Sequence, residues 1–65
     1  MKIMLNGKPA ETDAATLAEA LAELGYAEAQ VATAVNEEFV PKSKRQNHVL
    51  SPGDRVEVVA PRQGG

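Results

Sequence analysis

Apolar residues follow two different periods along this chain, and the change from one to the other outlines its elements. Lys2-Ile3-Met4-Leu5 is a short apolar-rich run, ended at once by Asn6-Gly7. Asn-Gly is the strongest two-residue hairpin signal, because both central positions of a type I′ turn need positive φ. Residues 8–12 then return as a second strand. Pro9 has no N–H and fits best where that donor would face solvent. Farther on, Leu17, Ala20, Leu21 and Leu24 fall at the spacing that builds one apolar stripe of a helix, with Glu19 and Glu23 on the opposite side. Thr16-Leu17-Ala18-Glu19 fits a capping box, in which the Thr16 hydroxyl takes the Glu19 N–H and the Glu19 carboxylate reaches back. Asp13 is the competing cap if the helix begins earlier. Gly25 is placed to close it in a left-handed conformation.

The shorter period resumes after the helix. Residues 31–35 are short and β-branched, and Asn36-Glu37-Glu38 makes a turn. Phe39-Val40 begins a brief strand that Pro41 cuts off or places on an edge. Residues 42–48 are polar and read as irregular. Ser51-Pro52-Gly53-Asp54 suits a type II turn, with proline second and glycine third. Residues 55–60 alternate as a half-buried strand with Val56 and Val58 inward, and Pro61 ends it. Two strands, a helix and two or three more strands make an α+β chain whose helix must bury its leucines on one face of a sheet. The expected architecture is a β-grasp: a mixed sheet of four to five strands, covered on one face by one main helix. Residues 1–60 form this domain, the last strand lies beside the first, and residues 61–65 form a flexible tail.

Composition narrows the function more than the fold. A chain of 65 residues is one domain. At this size about 60% of the unfolded surface can be buried, so the core is small. With no cysteine, the chain has no disulfide, thiolate metal site or sulfur nucleophile of its own, which fits a reducing compartment. No apolar run approaches membrane-spanning length, and Lys2 with the alternation after it reads as a strand and not a signal peptide. A cytoplasmic location is expected. Charge divides unevenly: seven acids against two bases through Glu38 (−5), then five bases against two acids beyond it (+3). Such asymmetry can steer a partner of matching pattern. The bases Lys42, Lys44 and Arg45 have no aromatic interleaved, so they read as a solvated loop and not as a nucleic-acid site.

Few side chains offer chemistry. There is no phosphate-binding glycine loop, no metal-spaced ligand set, and no nucleophile paired with a base. His48 lies in a polar loop with no acid or serine beside it. Tyr26 is expected at the helix end or the core edge. Phe39, the only Phe, is expected to fill the core, with an exposed patch on the uncovered sheet face as the alternative.

The candidate chemistry sits at the end of the sequence, Arg62-Gln63-Gly64-Gly65. Two side-chain-free residues make a thin strip that accepts any backbone angle and can lie in a narrow channel. At its tip an α-carboxylate, with a pKa of roughly 3.5, is ionised at neutral pH. A carboxylate on such a stalk can be offered to another protein's active site. A frayed end without a role is the plain alternative.

The ordered set of motifs sharpens this choice. Leu5-Asn6-Gly7, Thr16-Leu17, Val35-Asn36-Glu37, Val40-Pro41 and the run Leu50-Ser51-Pro52-Gly53-Asp54-Arg55-Val56-Glu57-Val58-Val59, followed by Gln63-Gly64-Gly65, resemble the ThiS family. These are ubiquitin-like β-grasp proteins that carry sulfur in thiamine biosynthesis, and the resemblance covers essentially the whole chain. It implies that the Gly65 carboxylate, with Gly64 beside it, is adenylated by an enzyme of the ubiquitin-activating type using ATP and magnesium. An external persulfide donor then leaves a thiocarboxylate, which passes sulfur to a thiazole synthase. The chain itself would be a co-substrate and would hold no permanent cofactor or metal. Pro61, Arg62, Gln63, Phe39 and Arg55 are the residues expected to meet partners. Neither nucleic acid nor membrane is expected among those partners. A molybdopterin-type sulfur carrier, a ubiquitin-type modifier and a plain β-grasp interaction domain are the alternatives.

Overall fold

The computed structural model describes residues 1–26 and 30–60. The strands are β1 (Lys2–Leu5), β2 (Lys8–Glu11), β3 (Ala32–Val35), β4 (Glu38–Val40) and β5 (Arg55–Val59). Between β2 and β3 lies the helix α1 (Leu17–Glu23), and a 3₁₀ segment (Lys42–Asn47) precedes β5. The strands form one sheet in the order β2-β1-β5-β3-β4. β5 runs parallel to β1 and antiparallel to β3, and the β1–β2 and β3–β4 pairs are antiparallel hairpins. The last strand thus lies between the two hairpins and beside the first, as the sequence reading expects. Pro9 sits on the edge strand β2, where its missing N–H costs no ladder bond.

The turns follow from residue chemistry. Asn6 and Gly7 take φ of 51° and 82°, the pair of positive angles a type I′ turn requires. The β3–β4 turn repeats this with Asn36 at 51° and Glu37 at 73°. Gly53 stands at 87°, and Asp54 N–H reaches Ser51 O at 3.0 Å, consistent with a type II turn.

The helix begins at the capping box. The Thr16 hydroxyl accepts the Glu19 N–H at 3.3 Å, and the Glu19 carboxylate accepts the Ala15 N–H at 2.9 Å, one residue farther back than the cap's own N–H. Leu24 caps the other end and Gly25 follows at φ 95°. Leu17, Ala20 and Leu21 are buried against Ile3, Val35, Val40, Leu50, Val56 and Val58. Burying Leu17 or Ile3 contributes about 1.5–3 kcal/mol each, so a few such residues supply much of the stability of so small a domain. Tyr26 packs half-buried at the edge of this core.

One expectation is corrected. Residues 42–48 are not an irregular solvated loop throughout: Lys42–Asn47 coil into the 3₁₀ segment, and Arg45 is only 9% exposed while Lys42 and Lys44 stay in solvent. A buried guanidinium needs acceptors, and it finds two. Arg45 Nε donates to Thr33 Oγ1 at 3.0 Å and Nη2 donates to Val31 O at 2.6 Å. Thr33 Oγ1 itself donates to Val40 O at 2.8 Å, so the hydroxyl accepts on one side and donates on the other. The segment is thereby fastened to the same sheet face that α1 covers.

Candidate functional site: the open sheet face and the end of the last strand

Side chains alternate across a strand, so burying one face fixes which residues the other presents. With Val56 and Val58 buried, β5 turns Arg55, Glu57 and Val59 to the uncovered side. Cross-strand register completes that surface. Met4 lies between Pro9 on β2 and Arg55 on β5, Ala34 lies between Glu57 on β5 and Phe39 on β4, and Ala32 pairs with Val59.

Phe39 therefore belongs to the open face and is 69% exposed, against the expectation that it fills the core. The cause is period two. Phe39 and Val40 are neighbours in one strand and cannot both face inward, and Val40 is the one that pairs with buried Thr33. Val59 is also exposed, at 61%. Phe39 and Val59, with half-buried Met4 and Ala34, give this face an apolar character that folding leaves uncovered.

Arg55 is the other candidate residue that the structure describes. It is exposed and helps line a shallow depression of about 200 Å³ with Met4, Gly7, Glu37, Val56 and Glu57. The depression lies between the two type I′ turns, at the start of β5. Arg55 makes no ion pair among the described residues, so its charge is available beside apolar surface. Phe39 and Arg55 thus share one face but sit on different strands, two strands apart in the sheet.

Two asparagines that sequence reading assigned only to turns also hold this strand. Asn6 Oδ1 accepts the Val58 N–H at 2.8 Å and its Nδ2 donates to Val58 O at 3.2 Å. Asn36 Oδ1 accepts the Arg55 N–H at 2.9 Å and its Nδ2 donates to Asp54 Oδ1 at 3.0 Å. Their turn propensity was legible, but contacts to a strand 19 or 52 residues away were not.

Ala60 is the last described residue of the domain. The expected site residues Pro61, Arg62, Gln63, Gly64 and Gly65 lie outside the described residues. His48 serves through its backbone: its carbonyl accepts the Leu17 N–H at 2.9 Å at the helix start. Among the described residues no three His, Asp or Glu side chains gather as a metal site, and no helix is long and apolar enough to cross a membrane.

Comparison with known proteins bears on this geometry at full length. A profile of the ThiS family matches residues 3–65. The sulfur carrier protein ThiS of Thermus thermophilus is 41% identical over 63 residues, which is 97% of this chain and 98% of that one. A thiazole synthase of Paramagnetospirillum magneticum is 39% identical over 66 residues; the match takes in all of this chain, which spans only 20% of that protein. Among solved structures, the crystal structure of a thiamine biosynthesis protein (ThiS) from Geobacter metallireducens superposes with a TM-score of 0.84 at 30% identity, covering both chains fully. A solution structure of a thiamine biosynthesis protein from the same organism gives 0.78 at 29% identity, covering all of this chain and 88% of that one. The ubiquitin-like β-grasp with a mixed five-stranded sheet is shared with these structures, and the family profile spans residues 3–65: the chain belongs to the ThiS family.

Proposed function

We propose that this chain carries sulfur in thiamine biosynthesis as a thiocarboxylate on Gly65, and that partner enzymes perform every chemical step. What carries the reading is the match to the family over residues 3–65, which includes the Gly64-Gly65 end. Carboxylate is a poor electrophile, because attack on it would have to expel oxide. An adenylating enzyme of the ubiquitin-activating type removes that obstacle: a Gly65 carboxylate oxygen attacks the α-phosphorus of magnesium-bound ATP and pyrophosphate leaves. A persulfide sulfur then attacks the acyl carbon and AMP departs. A thiol then attacks the donor's sulfur in the resulting acyl disulfide, forming a disulfide with the donor and expelling the thiocarboxylate. The sulfur must come from outside, since the chain has no cysteine. The acceptor of sulfur is a thiazole synthase, a partner class supported by the resemblance of the whole chain to part of a protein of that name.

This chain's own part is to dock and to deliver. Phe39 and Val59, both on the open face, supply apolar contact, and Arg55 supplies a charge for an acid on the partner. Residues 61–65 act as the tail, which at full extension spans at most about 17 Å, enough to cross a channel while the domain stays outside. Pro61 stiffens its stem, Arg62 and Gln63 meet the channel mouth, and Gly64 and Gly65 keep the acyl carbon free of any Cβ that would obstruct an attacking sulfur. The reactions belong to a reducing, cytoplasmic setting.

Intact-mass spectrometry after incubation with ATP, magnesium, an adenylating enzyme and a sulfur source tests the reading. The mass is expected to change by the exchange of one oxygen for one sulfur. A chain without Gly64 and Gly65 is expected to fold and to remain unloaded, and Gly64→Val to be loaded far more slowly than wild type. Loading of Gly64→Val at the wild-type rate would remove the channel argument.

A further inference from the structure

β1 ends at Leu5, while the strand beside it runs on to Val59. Their parallel ladder pairs Met4 with Arg55 and Leu5 with Val56, and the chain then turns away through Asn6-Gly7. The Asn6 N–H still reaches Val56 O at 2.9 Å. Two residues along β5, the N–H and C=O of Val58 face the place that β1 has left. The Asn6 side chain occupies it, accepting from the N–H at 2.8 Å and donating to the C=O at 3.2 Å. A carboxamide offers the same donor and acceptor as a peptide unit. Asn6 thus continues the ladder by one step with its side chain while its backbone makes the turn.

We propose that Asn6 is a positioning residue for sulfur loading: its two-point clasp on Val58 fixes the end of β5, two residues before Ala60. The inference rests on the function proposed above. Asn36 provides a built-in comparison. It has the same φ of 51°, sits at an equivalent type I′ turn and also holds β5, but at Arg55, the opposite end. Both asparagines serve their turns and both fasten the strand. Only Asn6 does so beside Ala60. A reacting group misplaced by about 1 Å can lose on the order of a hundredfold in rate, so the end of β5 next to the tail is the end whose placement matters.

Asn6→Gly and Asn36→Gly separate positioning from folding, because glycine keeps the positive φ of each turn and removes only the carboxamide. The first readout needs no sulfur: amide hydrogen exchange of the full chain by NMR. Asn6→Gly is expected to speed exchange at Val58 by roughly tenfold, the scale of one lost hydrogen bond, with Asn36→Gly acting at Arg55 and leaving Val58 protected. The second readout is steady-state loading by the adenylating enzyme. Asn6→Gly is expected to lower kcat by about tenfold or more with KM for the carrier within about twofold of wild type, while Asn36→Gly keeps kcat within about twofold. Unchanged exchange at Val58 in Asn6→Gly would overturn the clasp. Equal kcat losses in the two variants, or none in Asn6→Gly, would overturn the positioning role. Should Asn6→Gly not fold, Asn6→Asp carries the loading comparison, since it breaks the two-point clasp by losing the donor to Val58 O while keeping the acceptor for the Val58 N–H. If the wild-type chain itself takes no sulfur, the proposed function fails, and the exchange measurement still decides the clasp.

Discussion

The two faces of this sheet are built from the same five strands and have been put to opposite uses. Toward α1 and the 3₁₀ segment, Ile3, Val35, Val40, Val56 and Val58 are closed off from water together with Leu17 and Leu21. On the other side Phe39 and Val59 stand more than 60% exposed, next to Ala32 and Ala34. Among the described residues one α-helix packs on the sheet, and no element covers the sheet's other face. Phe39 and Val59 thus add little to the buried core, which the covered face supplies.

This division can be broken most sharply from the covered side. Leu17→Ala should cost about 2–5 kcal/mol, a large share of the stability of a domain of this size, read as a lower urea midpoint at unchanged slope. Arg45→Ala tests whether the 3₁₀ segment truly belongs to the covered layer. It removes both donors to Thr33 Oγ1 and Val31 O and should cost about 1–3 kcal/mol, whereas Lys44→Ala next to it should be nearly silent. A solvated Arg45 would instead give equal, small effects in the two variants. Phe39→Ala is the sharpest test of the open face. Its stability should stay within about 0.5 kcal/mol of wild type, while affinity for the adenylating partner falls by tenfold or more, the scale of about 1.4 kcal/mol at an aromatic anchor. Thermal melts and binding isotherms on one preparation would give both numbers. A large loss of stability in Phe39→Ala would erase the distinction between the faces.

Much of this was legible beforehand because it is local. A left-handed pair at Asn6-Gly7, a capping box at Thr16, a closing Gly25 and a type II turn at Gly53 each depend on the backbone preferences of a few consecutive residues. The helix stripe was readable because Leu17, Ala20, Leu21 and Leu24 repeat over about two turns. Phe39 was harder. A three-residue strand holds too few alternations to show which residue faces in, and hydrophobicity alone favoured the larger one. The available signal was that Phe39 and Val40 are adjacent, so one of them had to face out. Arg45 carried no such signal: nothing near it in sequence reveals that Thr33 and Val31 await its guanidinium across the fold.

By itself the sequence determined the order of strands and helix and the turns between them, because these depend on backbone preference and short-range pattern. Only the tertiary structure decided which face Phe39 joins, which uncharged acceptors satisfy the Arg45 guanidinium, and what Asn6 and Asn36 hold. Those outcomes depend on register between strands far apart in the chain, and register is fixed when the whole sheet assembles around its single buried face.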